Sequence, residues 1–176
     1  ETPQFASLIW DIYCWTGELE FLQKYFPGIE KGMNWLLTEN DLDGNLIADG
    51  HGMMEIQGLN SEMIDVAVYT QRAFSDAALM AKILGKEDVA KDYDNKAEIL
   101  KRKINRDFWV EDYHSFADFI GTKEQALKLA DEAIARAESL KNNWAVTELK
   151  NTKTKIETDL FKNKNGFVMY HNWVVN

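Results

Sequence analysis

Segments with a helical hydrophobic period recur along this chain, and the connections between them are of two kinds. Some are tight turns and the others are long, glycine- or aromatic-rich loops. Thr2 stands where a cap is wanted and Pro3 where a missing N–H is harmless, and Phe5, Leu8, Ile9 and Ile12 follow the spacing of a buried helical face until Gly17. A short helical turn is expected over residues 18–26, ended by Pro27-Gly28, and a further helix from Ile29 to Leu37, with Met33, Leu36 and Leu37 on its stripe. A long helix is expected from Ser61 to Leu84, with Met63, Val66, Ala67, Thr70, Phe74, Ala77 and Ala78 on one face. Gly85 separates it from a partner over residues 87–105 carrying Val89, Tyr93, Ala97, Leu100 and Ile104. Residues 123–140 and 144–160 make another such pair. A short connection forces antiparallel neighbours. The fold class expected is therefore all-α: antiparallel helical hairpins, with tight turns on one side and long loops on the other. That alternation fits a helical-hairpin toroid better than a compact bundle.

Composition narrows the function. One cysteine excludes an internal disulfide framework and any multi-thiolate metal site; Cys14, between Tyr13 and Trp15, reads as core. A formal net charge of -9 repels phosphate backbones, so neither nucleic acid nor an anionic membrane is expected as a partner. No apolar run approaches the roughly 20 residues of a membrane helix, and no signal peptide is visible at Glu1-Thr2-Pro3. Six tryptophans are many for this length. Trp10, Trp15, Trp35 and Trp109 fit hairpin packing, and Trp173, in Tyr170-His171-Asn172-Trp173, fits a sugar-stacking platform or equally a core position.

The segment 39–61 breaks the helical pattern. It holds four of the ten glycines, and its Leu46, Ile47, Met53, Met54 and Ile56 argue for an ordered loop. Asp41, Asp43, Asp49, Glu55 and Glu62 lie there with His51, Gln57 and Asn60, and Asp65 follows one helical turn after Glu62. Such a cluster suits a general acid whose pKa is raised by burial, Glu55 among Met53, Met54 and Ile56 being the candidate. The competing reading is a solvated loop in which Asp43-Gly44 and Asp49-Gly50 form ordinary turns. A calcium loop starting at Glu39 fails, because its twelfth position is Gly50 where a bidentate carboxylate is required. His51, His114 and His171 have no zinc-site spacing, and no phosphate-binding or nucleophile-elbow motif occurs. No cofactor and no metal are expected.

Several stretches resemble the six-hairpin glycosidases, above all the glycogen-debranching, amylo-α-1,6-glucosidase-like group. They are Trp15-Thr-Gly-Glu-Leu-Glu-Phe-Leu, Ile29-Glu-Lys-Gly-Met-Asn-Trp-Leu-Leu, Asp41-Leu-Asp-Gly-Asn-Leu-Ile, the run from Asp49-Gly-His-Gly-Met-Met-Glu to Tyr69-Thr-Gln, and Asn105-Arg-Asp-Phe-Trp. The resemblance covers most of residues 1–120 and returns at His171–Asn176. It implies an (α/α)6 toroid of twelve helices, of which this chain would supply about half. One all-α domain over 1–176, a fragment completed by the remainder of the same polypeptide, is the expectation; the apolar ending agrees with it. The resemblance also implies inverting hydrolysis of a neutral saccharide by an acid and a base carboxylate about 6.5–9.5 Å apart. Glu55 would be the acid. His51, Gln57, Asn60 and Asp65 would hold hydroxyls, Trp173 would stack on a sugar, and the base would come from a later hairpin. The isolated piece is expected to be weakly active or inactive.

Two alternatives remain. A non-catalytic helical domain that binds carbohydrate or protein would keep the acidic loop as surface. A lyase or epimerase would use Tyr69 and His51 in place of two carboxylates.

Overall fold

The computed structural model describes residues 1–50, 61–111, 114–158 and the strand 167–169. The all-α class stands. Among the described residues six helices form three hairpins: α1 (Thr2–Thr16) with α2 (Leu19–Glu39), α3 (Ile64–Ile83) with α4 (Glu87–Asp107), and α5 (Lys123–Ser139) with α6 (Asn143–Glu157). Tight turns close each hairpin. Gly17 (φ 68°) and Gly85 (φ 70°) adopt the left-handed backbone that glycine reaches without strain.

The region expected to break at Pro27-Gly28 is instead a single helix of 21 residues. Leu22, Phe26, Ile29, Met33 and Leu36 are all buried and continue one stripe straight across the proline. Pro27 lies on the exposed side, where the carbonyl left without its N–H partner can face water. In α1 the buried side is Pro3, Ala6 and Ile9, backed by half-buried Trp10 and Tyr13. Phe5 and Leu8, expected inside, are exposed. So is Cys14, expected in the core, and Trp15 is 90% exposed. Trp35 and Trp109 are also exposed, leaving Trp10, stacked on Tyr13 at 5.9 Å, as the hairpin-packing tryptophan of the expected four.

Helix α3 starts at Ile64, because residues 61–63 form a strand. The alanines of α3 are buried as expected, Ala73, Ala77 and Ala81 completely, and let neighbouring helices approach closely. The main core joins α1 to α4 through Ile9, Phe26, Met33, Phe74, Met80 and Tyr93.

Short strands, absent from the sequence reading, tie the long loops together. Strands β1 (Asp49–Gly50), β2 (Ser61–Met63), β5 (Phe119–Gly121) and β6 (Phe167–Met169) form one antiparallel sheet in that order. Strands β3 (Trp109–Val110) and β4 (Ser115–Phe116) form a separate pair, with Trp109 edge-on to Phe116. Met63 and Phe119 pack beneath α5 and α6 on Ala126, Leu129, Ala130 and Ile156. The capping box of Thr122 and Gln125 starts α5 directly after β5. No described helix is long and apolar enough to cross a membrane.

Candidate functional site

The end of α2, the start of α3, the end of α4 and the start of α5 converge on the sheet. Residues 41–50 pack across this end, with Ile47 buried against Ala67, Leu100, Ile104 and Phe108. The sequence Asp41-Leu-Asp-Gly-Asn-Leu explains why the turn forms. The two carboxylate oxygens of Asp41 accept the N–H groups of Asn45 and Leu46, each at 2.8 Å, and Asp43 accepts the Asn45 side-chain amide at 2.8 Å. Asn45 Oδ1 in turn accepts the Ile47 N–H at 2.7 Å. Gly44 and Leu46 take left-handed backbone, at φ 70° and 73°. The spacing that mimics a calcium loop is thus a local turn in which Asp41 is engaged by backbone N–H groups. Among the described residues no three histidine, cysteine, aspartate or glutamate side chains converge as a metal site.

The turn is bound to the sheet through Asn45, whose side-chain amide donates to Glu62. Glu62 stands on β2 directly opposite Asp49 on β1, two carboxylates facing each other across an antiparallel pair. Three acids here hold their protons more tightly than usual. Burial raises the pKa of Glu62 against the hydrogen bond from Asn45, with Asp43 and Asp49 adding repulsion and Lys103 opposing it. Burial likewise raises Asp49, helped by the charges of Asp43 and Asp41. Asp41, 5% exposed, is raised by burial despite its two backbone donors. This end of the molecule concentrates negative charge in a partly dry setting.

Asp65 lies in the first turn of α3, half-buried, with Oδ1 accepting the Val66 N–H at 2.9 Å. A carboxylate is favoured there by the helix N-terminus. It does not follow Glu62 along one helix, as expected; Glu62 is on the strand, and the helix begins between them. The Ile64 N–H that opens α3 donates to the Asp118 carbonyl at 2.8 Å, which anchors this turn to the β4–β5 connection. Asn45 and Asp118 are structural members of this end that no sequence motif singles out. Asn45 is visible only as the last polar residue of the Asp-x-Asp-Gly-Asn turn, whereas Asp118 sits between strands too short to give a period. Glu55, His51, Gln57, Asn60 and Trp173 lie outside the described residues. The flanks of 51–60 are described: Gly50 and Ser61 are paired to each other, beside the turn that carries Asp65. Tyr69 lies elsewhere, on a groove between α1 and α3.

The profile of the bacterial α-L-rhamnosidase six-hairpin glycosidase domain matches residues 2–168. A protein of Methanocaldococcus jannaschii named as an uncharacterised glycosyl hydrolase is 28% identical over 134 residues, which is 72% of this chain and 20% of that protein. The chain therefore spans about a fifth of that relative's length. No solved structure matches it significantly. With three helical hairpins among the described residues and a profile match across nearly its whole length, this chain belongs to the six-hairpin glycosidases.

Proposed function

We propose that the protein hydrolyses an α-glycosidic bond of the debranching type in a neutral oligo- or polysaccharide, with inversion, as part of a longer polypeptide. The observation that carries this reading is the six-hairpin glycosidase match over residues 2–168, which contains every proposed site residue except Trp173. Glu55 protonates the oxygen of the leaving sugar as its bond to the anomeric carbon breaks. A water attacks from the opposite face, and its proton goes to a carboxylate elsewhere in the same polypeptide. Asp65, His51, Gln57 and Asn60 hold hydroxyls, and Trp173 offers a stacking face. The neighbouring acids Asp41, Asp49 and Glu62 support the reading electrostatically. Burial raises the pKa of the carboxyl groups at this end, and in their ionised form they favour the positive charge that develops on the sugar ring.

The test is hydrolysis by the full-length polypeptide, followed by proton NMR of the first anomer released. An α-1,6-linked glucan and 4-nitrophenyl glycosides, the α-L-rhamnoside among them, serve as substrates. The expected result is release of the β-anomer from the α-1,6-glucan. Glu55→Gln should lose about a thousandfold in kcat on that natural leaving group and far less on nitrophenolate, which needs little protonation. An equal loss on both substrates, or none, overturns the acid assignment. Cleavage of the rhamnoside alone overturns the sugar.

A further inference from the structure

Extended backbone presents successive side chains to opposite sides, and where α4 runs into β3 this separates two neighbouring aromatics. Phe108 is completely buried against Ile47, Ala67, Leu100 and Ile104, whereas Trp109 is 36% exposed. Trp109 pairs with Phe116 across the β3–β4 ribbon, and Phe116 is exposed as well. Two contacts fix the indole. Its ring centre lies 5.1 Å from that of Phe116 with the planes at 73°, and its Nε1–H donates to Oε2 of Glu111 at 2.7 Å. The other carboxylate oxygen of Glu111, Oε1, has no hydrogen bond among the described residues.

Trp15 and Trp144 are more exposed, but they stand beside the tight turns that close their hairpins. Trp109 stands at the loop end, and backbone hydrogen bonds tie its ribbon to the turn of Asp65. The Ala117 N–H donates to the Phe108 carbonyl at 2.7 Å, and the next carbonyl, that of Asp118, accepts the N–H of Ile64. Phe116 is four residues before Ile120, the strand partner of Glu62, a reach of at most about 14 Å. Even so, β3 and β4 pair outside the four-stranded sheet from which residues 51–60 depart.

A tryptophan held in one orientation, with a carboxylate oxygen beside it open to a donor, has the chemistry of a sugar platform. The apolar C–H face of a pyranose packs on the ring while a hydroxyl donates to Oε1 of Glu111. Because the indole is already fixed, stacking on it costs little side-chain entropy. The carboxylates of this end repel an anionic sugar, so the unit is neutral. We propose that Trp109, oriented by Phe116 and Glu111, binds a neutral sugar unit of the substrate chain beyond the two that the cleaved bond joins. Longer chains are then preferred over short ones. The ligand class rests on the proposed function; the place of the subsite does not.

Trp109→Leu keeps an apolar side chain against Phe116 and removes the flat ring, and Trp109→Tyr restores a ring. In the full-length Glu55→Gln polypeptide, the leucine variant should bind an α-1,6-linked glucotetraose about tenfold more weakly by isothermal titration calorimetry, and the tyrosine variant within about threefold of Trp109. With Glu55 in place, Trp109→Leu should leave kcat and KM for 4-nitrophenyl α-glucoside within about twofold, since that substrate ends short of the subsite. Unchanged tetraose binding, equal losses on both ligands, or a tyrosine variant as weak as the leucine one overturns the proposal. So does a polypeptide that binds no tetraose at millimolar concentration. Glucan hydrolysis indifferent to Trp109 removes the subsite alone, whereas Trp109-dependent tetraose binding without glucan hydrolysis removes the proposed activity alone.

Discussion

The α3–α4 hairpin has two very different ends. At one, the chain reverses through Leu84, Gly85 and Lys86, using the N–H groups of Gly85 and Lys86 on the carbonyls of Lys82 and Ala81. One exposed ion pair, Lys86 to Glu30 at 2.8 Å, completes it. At the other end, α3 and α4 meet the acidic turn and the four-stranded sheet. Three carboxyl groups there have raised pKa values, and a leucine adopts φ 73°. Reversing a helix costs little, as the first end shows. The second contains features that destabilise the fold: crowded carboxylates and a left-handed non-glycine residue. Such features persist where the surrounding structure holds them in place, which is why the proposed saccharide site is put at this end.

Substitutions at the two ends should therefore separate function from stability. The largest effect is expected at the loop end. Asp65→Ala should raise KM for saccharide about thirtyfold, the loss of roughly 2 kcal/mol expected for a hydrogen bond to a charged group, alongside a smaller loss of stability, up to about 1 kcal/mol, from the helix N-terminus. Asp41→Ala should cost about 1–3 kcal/mol in urea unfolding, because the Leu46 N–H loses its acceptor in a part-buried turn and the Asn45 N–H keeps only its longer bond to Asp43. At the tight-turn end, Gly85→Ala should cost about 1 kcal/mol and leave KM and kcat unchanged. The position needs φ 70°, and nothing within 4 Å would meet an added Cβ, so backbone strain alone is at issue.

The smallest effect has a definite sign. The pKa of Glu62 is raised in the folded state, so its ionisation opposes folding. The penalty is absent below the ordinary glutamate pKa, grows as pH rises through it, and is complete above the raised value. Glu62→Gln keeps an acceptor for Asn45 and removes the charge opposite Asp49. It should stabilise the protein at pH 7 by on the order of 0.5 kcal/mol, and the gain should vanish in acid. Thermal melts at pH 7 and pH 3.5 check this. A variant less stable at pH 7, with the loss fading at pH 3.5, would mean the carboxylate is held by attraction after all.

The same contrast explains what was legible in the sequence. Helical periods and the glycines at 17 and 85 announce the hairpins, because those signals are local. Pro27 misled, since a single exposed proline is outweighed by a buried stripe that continues through Phe26, Ile29 and Met33. Period alone could not tell that Leu8, Cys14 and Trp15 face outward in this chain; both sides of α1 are apolar, and which side is covered depends on what packs there. At the loop end the strands are two or three residues long, too short to alternate visibly, so the pattern assigns Glu62 to the helix although it stands on the sheet. The acidic turn was visible as composition. Its function as a turn became clear only from the hydrogen bonds of Asp41 and Asn45.

Saccharide binding at the loop end is the proposal that most needs testing. Hydrogen exchange of the full-length Glu55→Gln variant, with and without a saturating α-1,6-glucan, tests it directly. The account predicts slowed exchange for amides of residues 41–50 and 61–66, and no change at residues 17–19 and 84–87. Protection confined to the tight turns, or an unchanged loop end in a demonstrably bound protein, would contradict it.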